Sequence, residues 1–177
     1  MSPFSAPKVL TTMTLSQLFL LSTYSIVMHC CPSKATVQPP QTTEMVLYFQ
    51  DFLLGPTPPS SRSQFGTVFI ADDPITETPD PSSAMVGRAQ GMYVISALDA
   101  SSAQAIFSIV FTNQAYNGST LEIQGTGKQL ERVLEYSVVA GTGKFRFARG
   151  YATFETIPMD VSRGYSVIQC NVTVRHD

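Results

Sequence analysis

Asp51 is the residue of this chain most easily given a chemical role. It stands in the segment Met45–Leu54 (MVLYFQDFLL), where it shares alternation parity with Leu47, Phe49 and Leu53. Along an extended chain residues two apart project to the same face, so this carboxyl enters the space of those apolar side chains. Burial disfavours the charged form and raises a carboxyl's pKa, which makes Asp51 a candidate general acid or base in a pocket that Phe49 helps to line. The competing reading is a turn cap or the partner of a buried Arg. Arg149 poses a similar question, because it shares parity with Phe145, Phe147 and Tyr151. The neighbouring Gly150 suggests a bulge or close backbone approach, so a structural anchor is preferred there over a pocket charge. The run Asp72-Asp73-Pro74 reads as a turn initiator at the end of the second strand, with Asp73 as a possible pocket or cation-holding charge.

Other chemistries lack their residues. Cys30, Cys31 and Cys170 form no C-x-x-C pair and the chain has 2 His, so a structural zinc site is excluded. Cys170 lies among Ile168, Val172 and Val174 and reads as a buried thiol, a bridge to Cys30 or Cys31 being the alternative. There is no Ser-His-acid motif, no phosphate-cradling glycine loop followed by Lys and no dinucleotide fingerprint, so neither a metal nor a cofactor is expected.

The elements that must position these residues are strands. From Glu44 onward, short runs rich in Val, Ile, Phe, Tyr and Thr alternate with Gly, Pro and Asn punctuation, and helical periodicity is nearly absent. Strands are expected at Met45–Leu54, Gln64–Ala71, Val86–Leu98, Gln104–Thr112, Ser119–Gly125, Val133–Ala140, Phe145–Phe154 and Tyr165–Arg175. Tyr116-Asn117-Gly118-Ser119 and Gly141-Thr142-Gly143 supply the positive φ of tight turns, so neighbours should run antiparallel. This predicts an all-β fold, an eight-stranded antiparallel up-and-down β-barrel of lipocalin-like or allene-oxide-cyclase-like kind, wide enough inside for one small ligand. A two-sheet sandwich is the alternative. The first strand is apolar on both parities, which predicts a covering partner subunit and hence a homo-oligomer.

Composition narrows the setting. Of 177 residues 14% are charged and the net charge is -2, so no basic stripe exists for nucleic acid or an anionic membrane. Lys8 is the only charge before Lys34, and Leu15–Val27 is a short, moderately apolar segment. Residues 1–31 therefore read as a signal peptide or leader, 32–43 as a flexible polar linker and 44–177 as the barrel domain. The sequons Asn117-Gly118-Ser119 and Asn171-Val172-Thr173 fit glycosylation of a secreted chain.

A set of motifs, in order, resembles the plant dirigent family over residues 45–176: Tyr48-Phe49-Gln50-Asp51, Phe65-Gly66-Thr67, Asp72-Asp73-Pro74-Ile75-Thr76, Val86-Gly87-Arg88-Ala89-Gln90-Gly91-Met92-Tyr93, Tyr116-Asn117-Gly118-Ser119-Thr120-Leu121 and the glycine-bounded stretch from Gly141 to Ala152. The resemblance implies a secreted, apoplastic barrel, usually a trimer with a dimer as the alternative, that binds phenolic molecules. Such a barrel confers stereoselectivity on phenoxy-radical coupling of monolignols of the coniferyl alcohol type, with a separate laccase or peroxidase making the radicals. Relatives instead dehydrate isoflavanols to pterocarpans through a quinone methide, and a non-catalytic phenolic-binding barrel is the third possibility. By the resemblance Asp51 is the pocket aspartate, Tyr93 a phenol-binding tyrosine, and Thr156 and Tyr165 substrate-contacting residues. Two departures stand out. Where lignan-forming members carry a second aspartate and an arginine, this chain has Gly127 and Leu134, and Arg132 replaces the arginine only if the register slips by two.

Overall fold

Alternating apolar and polar residues resolve into eight strands: β1 Gln41–Phe52, β2 Val68–Thr76, β3 Met85–Ile95, β4 Ser102–Phe111, β5 Thr120–Lys128, β6 Val133–Thr142, β7 Arg149–Ile157 and β8 Tyr165–His176. The computed structural model describes residues 39–52, 64–157 and 165–177. The leader 1–31, Cys30, Cys31 and Leu53 lie outside the described residues. Each strand pairs antiparallel with its sequence neighbours, and β8 pairs with β1, closing an eight-stranded up-and-down barrel. Closure gives every strand two neighbours, which settles barrel over sandwich.

Two joints of the barrel contrast. β1 lies along β8 from Gln41↔His176 to Phe52↔Tyr165. Against β2 it pairs only at Tyr48↔Thr76 and Phe49↔Ile75. Gln41, Thr42 and Thr43, read from the sequence as the end of a linker, are thus strand residues held by β8. Pro74, which lacks an N–H, sits beside the short seam, where a missing donor costs little.

The interior is aromatic. Phe49, Phe107 and Phe154 meet edge to face at 5.6 to 6.0 Å and fill the middle of the barrel. Such contacts add roughly 0.5–1.5 kcal/mol beyond the area buried. One end is stoppered by Phe111, Tyr116 and Phe145, with ring centroids 4.9 to 5.3 Å apart. His176 closes against Phe145 edge-on and bonds the Thr43 hydroxyl at 2.9 Å.

The connection between β6 and β7 differs from the expectation. Phe145 ends a single 3-10 turn, Gly143–Phe145, and Phe147 is exposed with φ +60°, so β7 begins only at Arg149. A bulge in β6 between the partners of Glu122 and Ile123 leaves Val139 without an opposing residue. Arg149 points outward and donates to the carbonyls of Val139 and Ala148. It is an anchor of that bulge outside the barrel, and its shared parity with Phe145 and Phe147 was an artefact of reading the turn as strand.

Candidate active site

The end opposite the aromatic stopper is where β1 ends, β2 begins and β3 ends. Asp51 is half-buried there, on the inward parity of the buried Leu47 and Phe49. Across the β1–β8 ladder it faces Ser166, whose Oγ donates to Asp51 Oδ2 at 3.1 Å. The β1–β2 register, continued two residues past Phe49↔Ile75, sets Asp51 opposite Asp73.

Asp73 is not in a turn. It lies inside β2 opposite Ala89, because β2 runs to Thr76 rather than ending at Ala71. The two adjacent aspartates therefore face opposite sides. Asp72 points outward and accepts from Arg88 Nε at 2.6 Å and Gln90 Nε2 at 3.1 Å. Those bonds hold its carboxyl below the usual range. Asp73 points inward, and burial, then the charges of Asp51 and Asp72, push its pKa up to about 6. This is the perturbed acid that the sequence had suggested at Asp51.

Tyr93 completes the group. It pairs across from Phe69, and the two rings stack at 4.4 Å with planes 12° apart. Burial raises the Tyr93 pKa, and the charges of Asp51 and Asp73 raise it further, so the phenol stays protonated as a donor. Phe49, Phe107 and Phe154 form the floor beneath these polar groups. Thr156 shares the inward parity of Ala152 and Phe154 and stands exposed at the rim, paired with Ile168.

Two sequence-assigned residues fall elsewhere. Tyr165 is on the outer parity, and its hydroxyl donates to Gln50 Oε1. Gln50 is itself buried on that outer side, donating to Thr76 Oγ1 at 2.6 Å. Both parities of β8 carry apolar residues near its start, so the sequence could not say which one lines the barrel. Arg132 precedes β6 and forms an exposed ion pair with Glu155 at 2.7 Å, so no register slip brings it inside. Leu134 does face inward, opposite Phe154.

One inward residue was missed. Tyr136 pairs with Ala152, packs on Phe154 with centroids 5.4 Å apart, and lies over Gly125 and Gly127. A Cβ built at Gly127 would stand 2.6 Å from the Tyr136 hydroxyl, and one at Gly125 would stand 2.7 Å from its ring. The two glycines on one face of β5 were the available signal. Cys170 is a fully buried free thiol whose pKa burial pushes far up, leaving it a packing residue.

The arrangement is a carboxyl pair and a phenol above an aromatic floor. A model of the family described as "Dirigent-like protein" matches residues 36–175. The chain belongs to the dirigent family. This dirigent protein is similar to Dirigent protein 1 of Arabidopsis thaliana, 38% identical over 78% of this chain and 81% of that one. It is similar to pterocarpan synthase 1 of Glycine max, 33% identical over 93% and 95% of the two chains. Among solved structures, the pterocarpan synthase dirigent protein GePTS1 superposes with a TM-score of 0.68 at 33% identity, covering 79% of this chain and 87% of that one. With Gly127 and Leu134 in place of the charged pair, this dirigent protein stands outside the pinoresinol-forming group.

Proposed function

We propose that this dirigent protein dehydrates and cyclises a phenolic benzylic alcohol, of the isoflavanol class, through a quinone methide. The observation that carries the reading is the inward carboxyl of Asp73, raised to about 6 beside Asp51 and above an aromatic floor. Protonated Asp73 gives its proton to the leaving hydroxyl as the benzylic C–O bond breaks, and water departs. The substrate's phenol O–H proton passes to solvent, which leaves a neutral quinone methide. A second hydroxyl of the same molecule then adds to the benzylic carbon, its proton returns to Asp73, and the quinone-methide oxygen is reprotonated from solvent. One water is lost and no oxidant is consumed. Burial, with the charge of Asp51 held by Ser166, raises Asp73 so that it is protonated below about pH 6 and retains a protonated fraction above it, and Tyr93 donates to a ligand oxygen. A pterocarpan synthase is among the similar chains, which supports the class of substrate.

The test is incubation of the pure protein with a racemic 7,2′-dihydroxyisoflavan-4-ol, whose 7-hydroxyl lies para to the benzylic carbon, without oxidant. Formation of the cyclised product at a rate above the buffer reaction supports the reading, and no consumption of any such alcohol overturns it. Stereoselective coupling of monolignols beside a laccase or peroxidase is the second reading. The parallel planes of Phe69 and Tyr93 favour it, since they can fix the face of a flat radical. Its mark is enantiomeric excess from coniferyl alcohol and laccase that vanishes when the protein is left out. Saturable phenol binding with racemic product and no turnover selects the binding barrel.

Self-association is proposed through the outside of β2–β4 rather than β1. Ile70↔Met92 and Met92↔Ile106 are cross-strand neighbours, exposed by 77%, 41% and 47%, with Val68 beside them. The flanking Gln90, Gln104 and Gln124 carry no charge, which suits a second copy of the same face. Light scattering should give a multiple of the mature chain's own mass, below the 19.3 kDa of all 177 residues, and Ile70→Asp should reduce it to one copy. Secretion, with glycans at the exposed Asn117 and Asn171, is proposed on the same footing.

A further inference from the structure

The phenolic-site reading places one cluster of polar groups on β1, β2 and β3 and leaves the facing wall unassigned. In an eight-stranded barrel the strand across from β2 is β6, and β6 carries Tyr136 on its inward side. The ring is half-buried and fixed from two directions. Phe154 packs on one side, and the bare backbone of Gly125 and Gly127 leaves room for it on the other. Its hydroxyl lies beside Gly127 and the Leu134 methyls, where a Cβ on Gly127 would come within 2.6 Å of the oxygen and 3.0 Å of Leu134 Cδ2. Among the described residues no group hydrogen-bonds to it. A phenol that is packed, aimed inward and without a partner is placed for a ligand.

We infer that Tyr136 is the second polar anchor of the cavity, donating a hydrogen bond to an oxygen at the end of an aromatic ligand remote from Asp51, Asp73 and Tyr93. This rests on the reading of the cavity as a phenolic site and narrows it. The preferred ligands are flat, rigid molecules with oxygen functions at both ends, because the barrel is about one small molecule wide and its two walls each offer donors. The chemistry gains a role at the remote end. When the quinone methide accepts the second hydroxyl, negative charge develops on its carbonyl oxygen, and a donor already in place there lowers the barrier to ring closure. The pair Gly125 and Gly127 is then a specificity feature, since any side chain at Gly127 displaces the Tyr136 hydroxyl.

The test separates this inference from the reading beneath it. Binding of 4,4′-dihydroxybiphenyl and of 4-hydroxybiphenyl is measured by calorimetry for the native protein, Tyr136→Phe, Gly127→Ala and Asp73→Asn. Tyr136→Phe keeps the ring against Phe154 and should weaken the two-ended probe roughly 5- to 10-fold while leaving the one-ended probe unchanged. Gly127→Ala should reproduce that selective loss by moving the hydroxyl, and Asp73→Asn should alter both probes alike. Equal losses for the two probes in Tyr136→Phe, or no loss for either, overturn the role of Tyr136 and leave the phenolic cavity standing. Failure of both probes to bind the native protein overturns the cavity reading and the anchor with it.

Discussion

Asp72 and Asp73 are consecutive in sequence and opposite in circumstance: Asp72 is ion-paired to Arg88 at 2.6 Å outside the barrel, whereas Asp73 is half-buried on the inward parity and feels the charge of Asp51. The alternation of a single strand separates a solvated, lowered carboxyl from a raised one. Site chemistry follows from that one-residue difference.

Asp73 makes stability depend on pH. The folded barrel keeps this carboxyl protonated up to about pH 6, while an unfolded chain releases the proton near pH ~4. Its contribution is therefore complete below that lower value and is lost as pH rises through 6. Asp73→Asn should leave the thermal midpoint nearly unchanged at acidic pH and raise it at pH ~8, as read by calorimetry at the two ends. The same variant should lose roughly 100-fold or more of cyclisation rate, since the amide cannot supply the proton.

Asp51→Asn should act through Asp73. Removing the Asp51 charge takes away one of the causes holding the Asp73 pKa up, so the alkaline limb of the kcat/KM profile should move to lower pH. The amide oxygen can still accept from Ser166, so the barrel should fold with unchanged circular dichroism. A limb that stays in place would assign the shift to burial and the charge of Asp72.

Gly150 is a stability position rather than a site residue. A Cβ there would stand 2.0 Å from the Thr173 carbonyl oxygen and 2.9 Å from Val174 Cα, both backbone atoms that cannot swing aside. Gly150→Ala should separate β7 from β8 and cost about 3 kcal/mol, measured as a lower urea midpoint.

Glycosylation is checked by mass. Protein secreted from plant cells should lose apparent mass on treatment with peptide-N-glycosidase, and the Asn117→Gln with Asn171→Gln variant should not. An unchanged mass for the native chain removes both sites.

Much of the barrel was legible because Gly, Asn and Pro punctuate the strands and because alternation marks their faces. The failures have local causes. Phe145, Phe147 and Arg149 alternate as a strand would, yet Phe145 is withdrawn into a turn that stoppers one end. Pro74 reads as a terminator, and it is tolerated because β1 barely pairs with β2 at that point. The turn reading therefore leaves Asp73 as no more than a possible pocket charge, where the strand turns it inward. Tyr165 could not be assigned a face, since Val167 on its own parity and Cys170 on the other are equally buried. Tyr136 has no motif of its own, and its meaning depends on two glycines of the adjacent strand.

The short seam between β1 and β2 gives the barrel a hinge line. The carboxyls of Asp51 and Asp73 belong to the two strands that flank it, so ionising Asp73 above about pH 6 adds repulsion across the joint with the fewest paired residues to resist it. Local opening there needs no loss of the β1–β8 ladder, which carries β1 along its whole length. Backbone amides of β2 beside the seam should then exchange with solvent faster as the medium turns alkaline, beyond the ordinary rise in chemical exchange, while those of β8 follow the rise alone. The barrel is thus least braced at the same place where its raised carboxyl stands.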